Sequence, residues 1–130
     1  MSAEKKFKYL ILFHFLFLVL TSIWDYFFVD EILIDASIQL TEFSYLEYDI
    51  FLIFLIIILI LYLVCLFLLY RFIKFAKNLY IFLVLITFVA GFFVGISVYE
   101  PTGLFLTDLF VLSQGAIIYC LLFTDIKNKF

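Results

Sequence analysis

Residues 50–70 read Ile-Phe-Leu-Ile-Phe-Leu-Ile-Ile-Ile-Leu-Ile-Leu-Tyr-Leu-Val-Cys-Leu-Phe-Leu-Leu-Tyr, a stretch without charge, glycine, proline or amide. Its length matches the roughly 20 residues a helix needs to cross a hydrocarbon layer about 30 Å thick. Each Leu, Ile, Phe or Val near the centre of such a helix favours insertion by about 0.3 to 0.6 kcal/mol, so the sum is favourable by several kcal/mol with nothing opposing it. The stretch predicts a transmembrane helix, and Arg71, Lys74 and Lys77 directly after it assign that end to one side of the membrane.

The composition agrees. The chain has 130 residues, 68% of them hydrophobic and 15% charged, with a mean hydropathy of +1.30, against roughly 45–50% apolar and 25% charged in soluble domains. The fold class read from this is an all-α membrane protein, a single integral domain over residues 1–130 built as a four-transmembrane-helix bundle. The spans read as 7–28, 49–70, 79–99 and 104–123, with an acidic outer loop over 29–48 and a basic cytoplasmic loop over 71–78. The basic N-terminus leading into an apolar run also fits a signal peptide, but the run is long and ends in Trp24-Asp25-Tyr26-Phe27-Phe28 with no small-residue cleavage site. Such an aromatic cluster is what a headgroup-level belt requires.

Orientation follows from the charges. All eight basic residues (Lys5, Lys6, Lys8, Arg71, Lys74, Lys77, Lys127 and Lys129) fall in the N-terminus, the second loop and the C-terminus. Four spans place those three segments on one side, which the positive-inside rule makes cytoplasmic, so both termini are expected inside. Of the eleven acidic residues, only Glu4 and Asp125 share that side. Within 29–48 Ile32, Leu33, Ile34, Ile38, Leu40, Phe43 and Leu46 set the loop along the membrane surface. Even positions 32–40 alternate as a strand would, while Ile32, Ala36, Phe43 and Leu46 fall on one helical face, so periodicity does not decide between them, and a short interfacial helix is the expectation.

Several residues could carry function. His14 lies inside the first span and Gln114 deep in the fourth. An intramembrane ionisable group is by default a functional hypothesis, yet two polar groups in hydrocarbon also bond across helices as structural glue. The glue reading, with Gln114 as the partner of His14, is the expectation. Thr87, Gly91 and Gly95 form a small-residue ridge containing a literal G-x-x-x-G, suited either to a dimer or, as the sequence favours, to packing within the chain. Asp25, Glu100 and Asp108 lie near the outer ends of three spans; they read as solvated carboxylates before a cation site. Cys65 and Cys120 sit in apolar runs and read as packing residues.

No H-E-x-x-H, G-x-S-x-G or phosphate-binding glycine loop occurs, and the single histidine gives no metal-ligand spacing. The expectation is a protein without enzymatic activity and without a cofactor, in contact with the lipid bilayer and a protein partner in the membrane or periplasm. Homo-oligomerisation is open, and nucleic-acid binding is not expected, since the loop bases serve topology and anionic lipid.

The ending Tyr119-Cys-Leu-Leu-Phe-Thr-Asp-Ile-Lys-Asn-Lys-Phe130, with Ile126, Lys127, Asn128 and Phe130 as matching positions, resembles that of small four-span bacterial inner-membrane proteins grouped as domain of unknown function 2569. The passage from Tyr70 through the bases to Asn78-Leu-Tyr-Ile81 is similar as well. The Gly-Gly-Trp-Leu opening and the proline of that family's basic turn are missing, and the first 48 residues do not match. The resemblance implies topology and a bacterial inner membrane, and no activity. On economy of material, the expected role is recognition of a partner, for example as an immunity-type protein against a membrane-active toxin. The rival expectations are an accessory subunit of a membrane complex, and a small transporter using His14, Gln114 and the outer carboxylates.

Overall fold

A computed structural model describes residues 2–28, 35, 48–91 and 100–130. Those residues form four long helices: α1 (Ala3–Phe27), α2 (Tyr48–Tyr70), α3 (Lys74–Gly91) and α4 (Pro101–Phe123), followed by a short 3-10 helix over Asp125–Lys129. All four are long and apolar enough to cross a membrane. The surface helix expected within 29–48 and the last third of the expected 79–99 span lie outside the described residues.

Helix boundaries differ from the sequence reading because polar residues continue a helix past the hydrocarbon. α1 begins at Ala3, before the expected residue 7, with Ser2 as its cap: the Ser2 hydroxyl accepts from the Lys5 amide at 3.4 Å. The expected basic loop 71–78 shrinks to the turn Arg71-Phe72-Ile73, and Lys74 and Lys77 open α3. Between the expected spans 79–99 and 104–123, Pro101 is already the first residue of α4, where its missing N–H and fixed φ suit the first helical position. Gly103 is buried within that helix.

The turn after α2 is a Schellman closure. The Ile73 amide donates to the Leu68 carbonyl at 3.1 Å and the Phe72 amide to Leu69 at 3.0 Å, which leaves Phe72 in the left-handed region at φ 54°. Glycine is the usual residue there, and a side-chain-bearing residue costs roughly 1–2 kcal/mol. The compensation is aromatic: the Phe72 ring packs on Phe7 at 5.8 Å and on Phe130 at 5.4 Å, and Phe7 and Phe130 meet at 6.1 Å. This triad joins the start of α1, the α2–α3 turn and the last residue of the chain. Lys8 lies over the Tyr70 and Phe72 rings, and Lys129 pairs with Glu4 at 2.7 Å. The hydrogen bond and charge of Glu4 hold the Lys129 ammonium above its ordinary value. Its contribution is therefore full below the ordinary lysine pKa and is lost as pH rises through the raised one.

Packing is concentrated towards that same basic end. α1 packs chiefly on α4, and α2 on α3. The buried apolar residues are Phe7 and Ile11 of α1, Ile58, Tyr62, Cys65, Leu66 and Leu69 of α2, Ala76, Tyr80 and Leu83 of α3, and Ile117 and Leu121 of α4, closed below by Ile126. Ala76, fully buried, lets α3 approach α2 closely enough for the Cys65 thiol to reach the Ala76 carbonyl at 3.5 Å. Most other large apolar side chains, Phe67, Phe75, Phe82, Leu112 and Phe123 among them, point outward, as lipid-facing residues do.

The cost at Phe72 yields a test. Phe72→Ala keeps the left-handed strain and loses the ring contacts, whereas Phe72→Gly loses the contacts and relieves the strain. Both variants should unfold more easily in mixed micelles than the parent, and Phe72→Gly should retain about 1 kcal/mol more stability than Phe72→Ala. Equal or reversed stabilities would contradict a strained turn held by its aromatic triad.

Candidate functional site

His14 is fully buried at the centre of the four helices. Its Nδ1 lies 2.7 Å from the Ser113 hydroxyl and its Nε2 2.6 Å from the Tyr62 hydroxyl. The Tyr62 oxygen is also 3.2 Å from the Tyr80 hydroxyl and receives the Gln114 side-chain N–H at 3.2 Å. Ser113 lies 2.7 Å from the Phe110 carbonyl. One side chain from each of α1, α2 and α3 and two from α4 thus meet in one hydrogen-bonded cluster. The imidazole stacks on the Phe110 ring at 4.6 Å and 20°.

Counting protons assigns the direction of every bond. Serine and tyrosine hydroxyls hold one proton each, and a neutral imidazole donates from one nitrogen and accepts at the other. The Phe110 carbonyl can only accept, so Ser113 donates to it and accepts from His14 Nδ1–H. Nε2 is then the bare nitrogen and accepts from Tyr62. With the Tyr62 proton committed to His14, its contacts to Tyr80 and Gln114 are ones in which those groups donate. The opposite tautomer would leave the Tyr80 proton with no acceptor among the described residues, in a side chain that is fully buried. The chain of protons therefore runs one way, from Tyr80 through Tyr62 and His14 to Ser113, and stops at a backbone carbonyl. No buried side-chain nitrogen or oxygen among the described residues lacks a partner.

The expected pairing of His14 with Gln114 is corrected by this geometry: the two meet only through Tyr62. Sequence reading passed over Tyr62 and Tyr80, although a signal for Tyr62 was present, since its O–H is the one oxygen-bearing side chain between Phe51 and Leu69. A hydroxyl in hydrocarbon must find a partner on another helix.

Above this cluster, away from the basic end, the described parts of the helices line a cavity of about 500 Å³. Its walls include Leu18, Leu55, Leu59, Val84 and Phe110, and Tyr62 and Gln114 form its polar floor. Thr87 and Thr107 also line it, with their hydroxyls already donating to the Val84 and Gly103 carbonyls at 2.9 Å.

The remaining expected residues are dispersed. Nothing lies within 4 Å of where a Cβ on Gly91 would sit, so among the described residues no helix uses it for close approach; Gly95 lies outside them. The Asp25 side chain is also outside the described set. Glu100 accepts from the Trp24 indole N–H at 3.3 Å. Asp108 is exposed on α4, eight residues and about 12 Å along the helix from Glu100. An aspartate at the centre of a membrane helix opposes insertion by about 2.5 to 3.5 kcal/mol, and less towards the interface. The described residues contain no group of His, Cys, Asp and Glu able to hold a metal ion.

The proton count ranks two conservative variants. Tyr80→Phe removes only a terminal donor and should cost under about 1 kcal/mol, whereas Tyr62→Phe strands His14 Nε2, the Tyr80 hydroxyl and the Gln114 amide and should cost about 2–4 kcal/mol. Unfolding of the two variants in mixed micelles checks this, and a Tyr80 variant as unstable as the Tyr62 variant would reject the assignment. No family model, curated protein or solved structure matches the chain.

Proposed function

We propose that this chain is a non-enzymatic, multi-pass protein of a bacterial inner membrane, with both termini cytoplasmic, that acts by binding a partner within the membrane or at its outer face. The supporting observation is an asymmetry. At the basic end and in the middle of the described helices every buried side-chain nitrogen and oxygen has a partner and the proton chain ends on a carbonyl, which suits a fixed support. Towards the other end, the described helices carry open surface: the cavity, Gly91 and Asp108. A concrete form of the reading is an immunity-type protein that occupies a toxin entering the bilayer, and an accessory subunit docked through Thr87, Gly91 and Gly95 is its variant. The resemblance at residues 119–130 is compatible with an envelope location. The cavity above Tyr62 and Gln114 favours one further reading, a small transporter using Gln114 and the outer carboxylates, with His14 behind Tyr62.

Topology is tested first with fusions. A fluorescent protein at residue 130 should fluoresce and alkaline phosphatase there should be inactive, whereas phosphatase inserted at residue 37 should be active; the reverse pattern rejects the orientation. For the role itself, deletion should raise sensitivity to toxins released by neighbouring cells. Photoreactive residues at Ser37 and Ser44 should then capture the toxin in parent cells. Unchanged sensitivity together with capture of lipid alone would remove the recognition reading in favour of transport.

A further inference from the structure

α4 carries an exposed seam with the spacing of a helix-packing face. Phe105, Asp108, Leu112, Gly115, Tyr119 and Leu122 follow one another at intervals of three and four residues, and all six are exposed, Leu112 at 70% and Tyr119 at 60%. Intervals of this kind line up on one side of a helix and form the seam of helix pairs. Gly115, in the middle of it, has nothing within 4 Å of a Cβ position, which gives a second backbone room to come close.

Asp108 determines what can occupy the seam. Glu100, held by the Trp24 indole, marks the headgroup level where tryptophans gather, and Asp108 lies about 12 Å further along the helix. No hydrogen bond or ion pair joins its carboxylate to another described residue. This chain has no cation to offer it. All eight Lys and Arg residues are at the opposite end, and the stretches 29–47 and 92–99 contain no Lys, Arg or His. From Asp108 to Phe123, where the basic end begins, is about 22 Å. A second copy fares no better: parallel, it sets Asp108 against Asp108, and antiparallel, it presents the same seam, which contains no basic residue.

We propose that the α4 seam binds a transmembrane helix of a different protein, one that presents a Lys or Arg to Asp108 about eight residues below its outer interfacial aromatic. Ionisable residues within a membrane characteristically pair with each other. The proposal rests on the partner-binding reading above and names the chemistry of that partner. Gly115 sets the close approach, and Asp108 selects the charge.

The test uses the full-length protein in phosphatidylcholine vesicles, labelled at its C-terminus, with synthetic leucine-alanine transmembrane peptides as probes. One peptide carries a single Lys eight residues below its outer Trp, a second carries Leu there and a third Glu. Energy transfer should show the Lys peptide associating about tenfold more tightly than the Leu peptide, with the Glu peptide weakest. Asp108→Asn should abolish the preference for Lys, and Gly115→Ile should weaken binding of the Lys peptide while thermal unfolding stays unchanged. Equal association of the Lys and Leu peptides overturns the proposal, as does self-association of the protein that Asp108→Asn removes. Capture at residues 37 and 44 with no Lys preference would discard the seam and leave the partner-binding reading in place.

Discussion

The Tyr62 hydroxyl is the group on which the arrangement of the helices depends. In hydrocarbon there is no water to satisfy a polar side chain, so each must reach another helix or remain unpaired at a cost of several kcal/mol. Tyr62 donates once and accepts twice, and those three bonds run to His14 on α1, Tyr80 on α3 and Gln114 on α4. Apolar packing alone would not hold helices in one register, because lipid tails are as apolar as leucine. The directional bonds do so, and Ser113 completes the count by linking His14 to the Phe110 carbonyl.

The basic end adds a second set of constraints of a different kind. Three segments of the chain meet there, and the Phe7–Phe72–Phe130 triad, the Glu4–Lys129 pair and the lysine over Tyr70 and Phe72 join segments far apart in sequence. The exposed ion pair contributes little by itself. The aromatic contacts carry more, since they offset a left-handed phenylalanine. With one end pinned by rings and the middle by hydrogen bonds, the described helices line a cavity and carry an exposed carboxylate towards the other end.

Much of the architecture was legible in the residues. The uninterrupted run 50–70 sufficed for a membrane helix, and the spacing of the apolar runs sufficed for four. Boundaries were less legible, because hydropathy marks where a helix meets hydrocarbon and caps mark where it ends: Ser2 and Pro101 begin helices that hydropathy alone started later. The site was half legible. His14 and Gln114 stand out because charge-capable and amide groups are rare in such segments, while Tyr62 and Tyr80 look like ordinary aromatics until their hydroxyls are given partners.

The sequence by itself determined that the chain is helical and apolar enough to cross a membrane four times, and that its basic residues gather at one end. Both follow from sums over residues, hydropathy in one case and charge in the other, and sums need no knowledge of neighbours. Only the tertiary structure decided which polar groups meet, that His14 and Gln114 are joined through Tyr62 rather than directly, and that Phe72 accepts a strained backbone. It also placed Asp108 on an exposed face of α4. Those outcomes depend on the rotation of each helix about its own axis, which a nearly uniform apolar surface leaves open and which a few hydrogen bonds between helices settle.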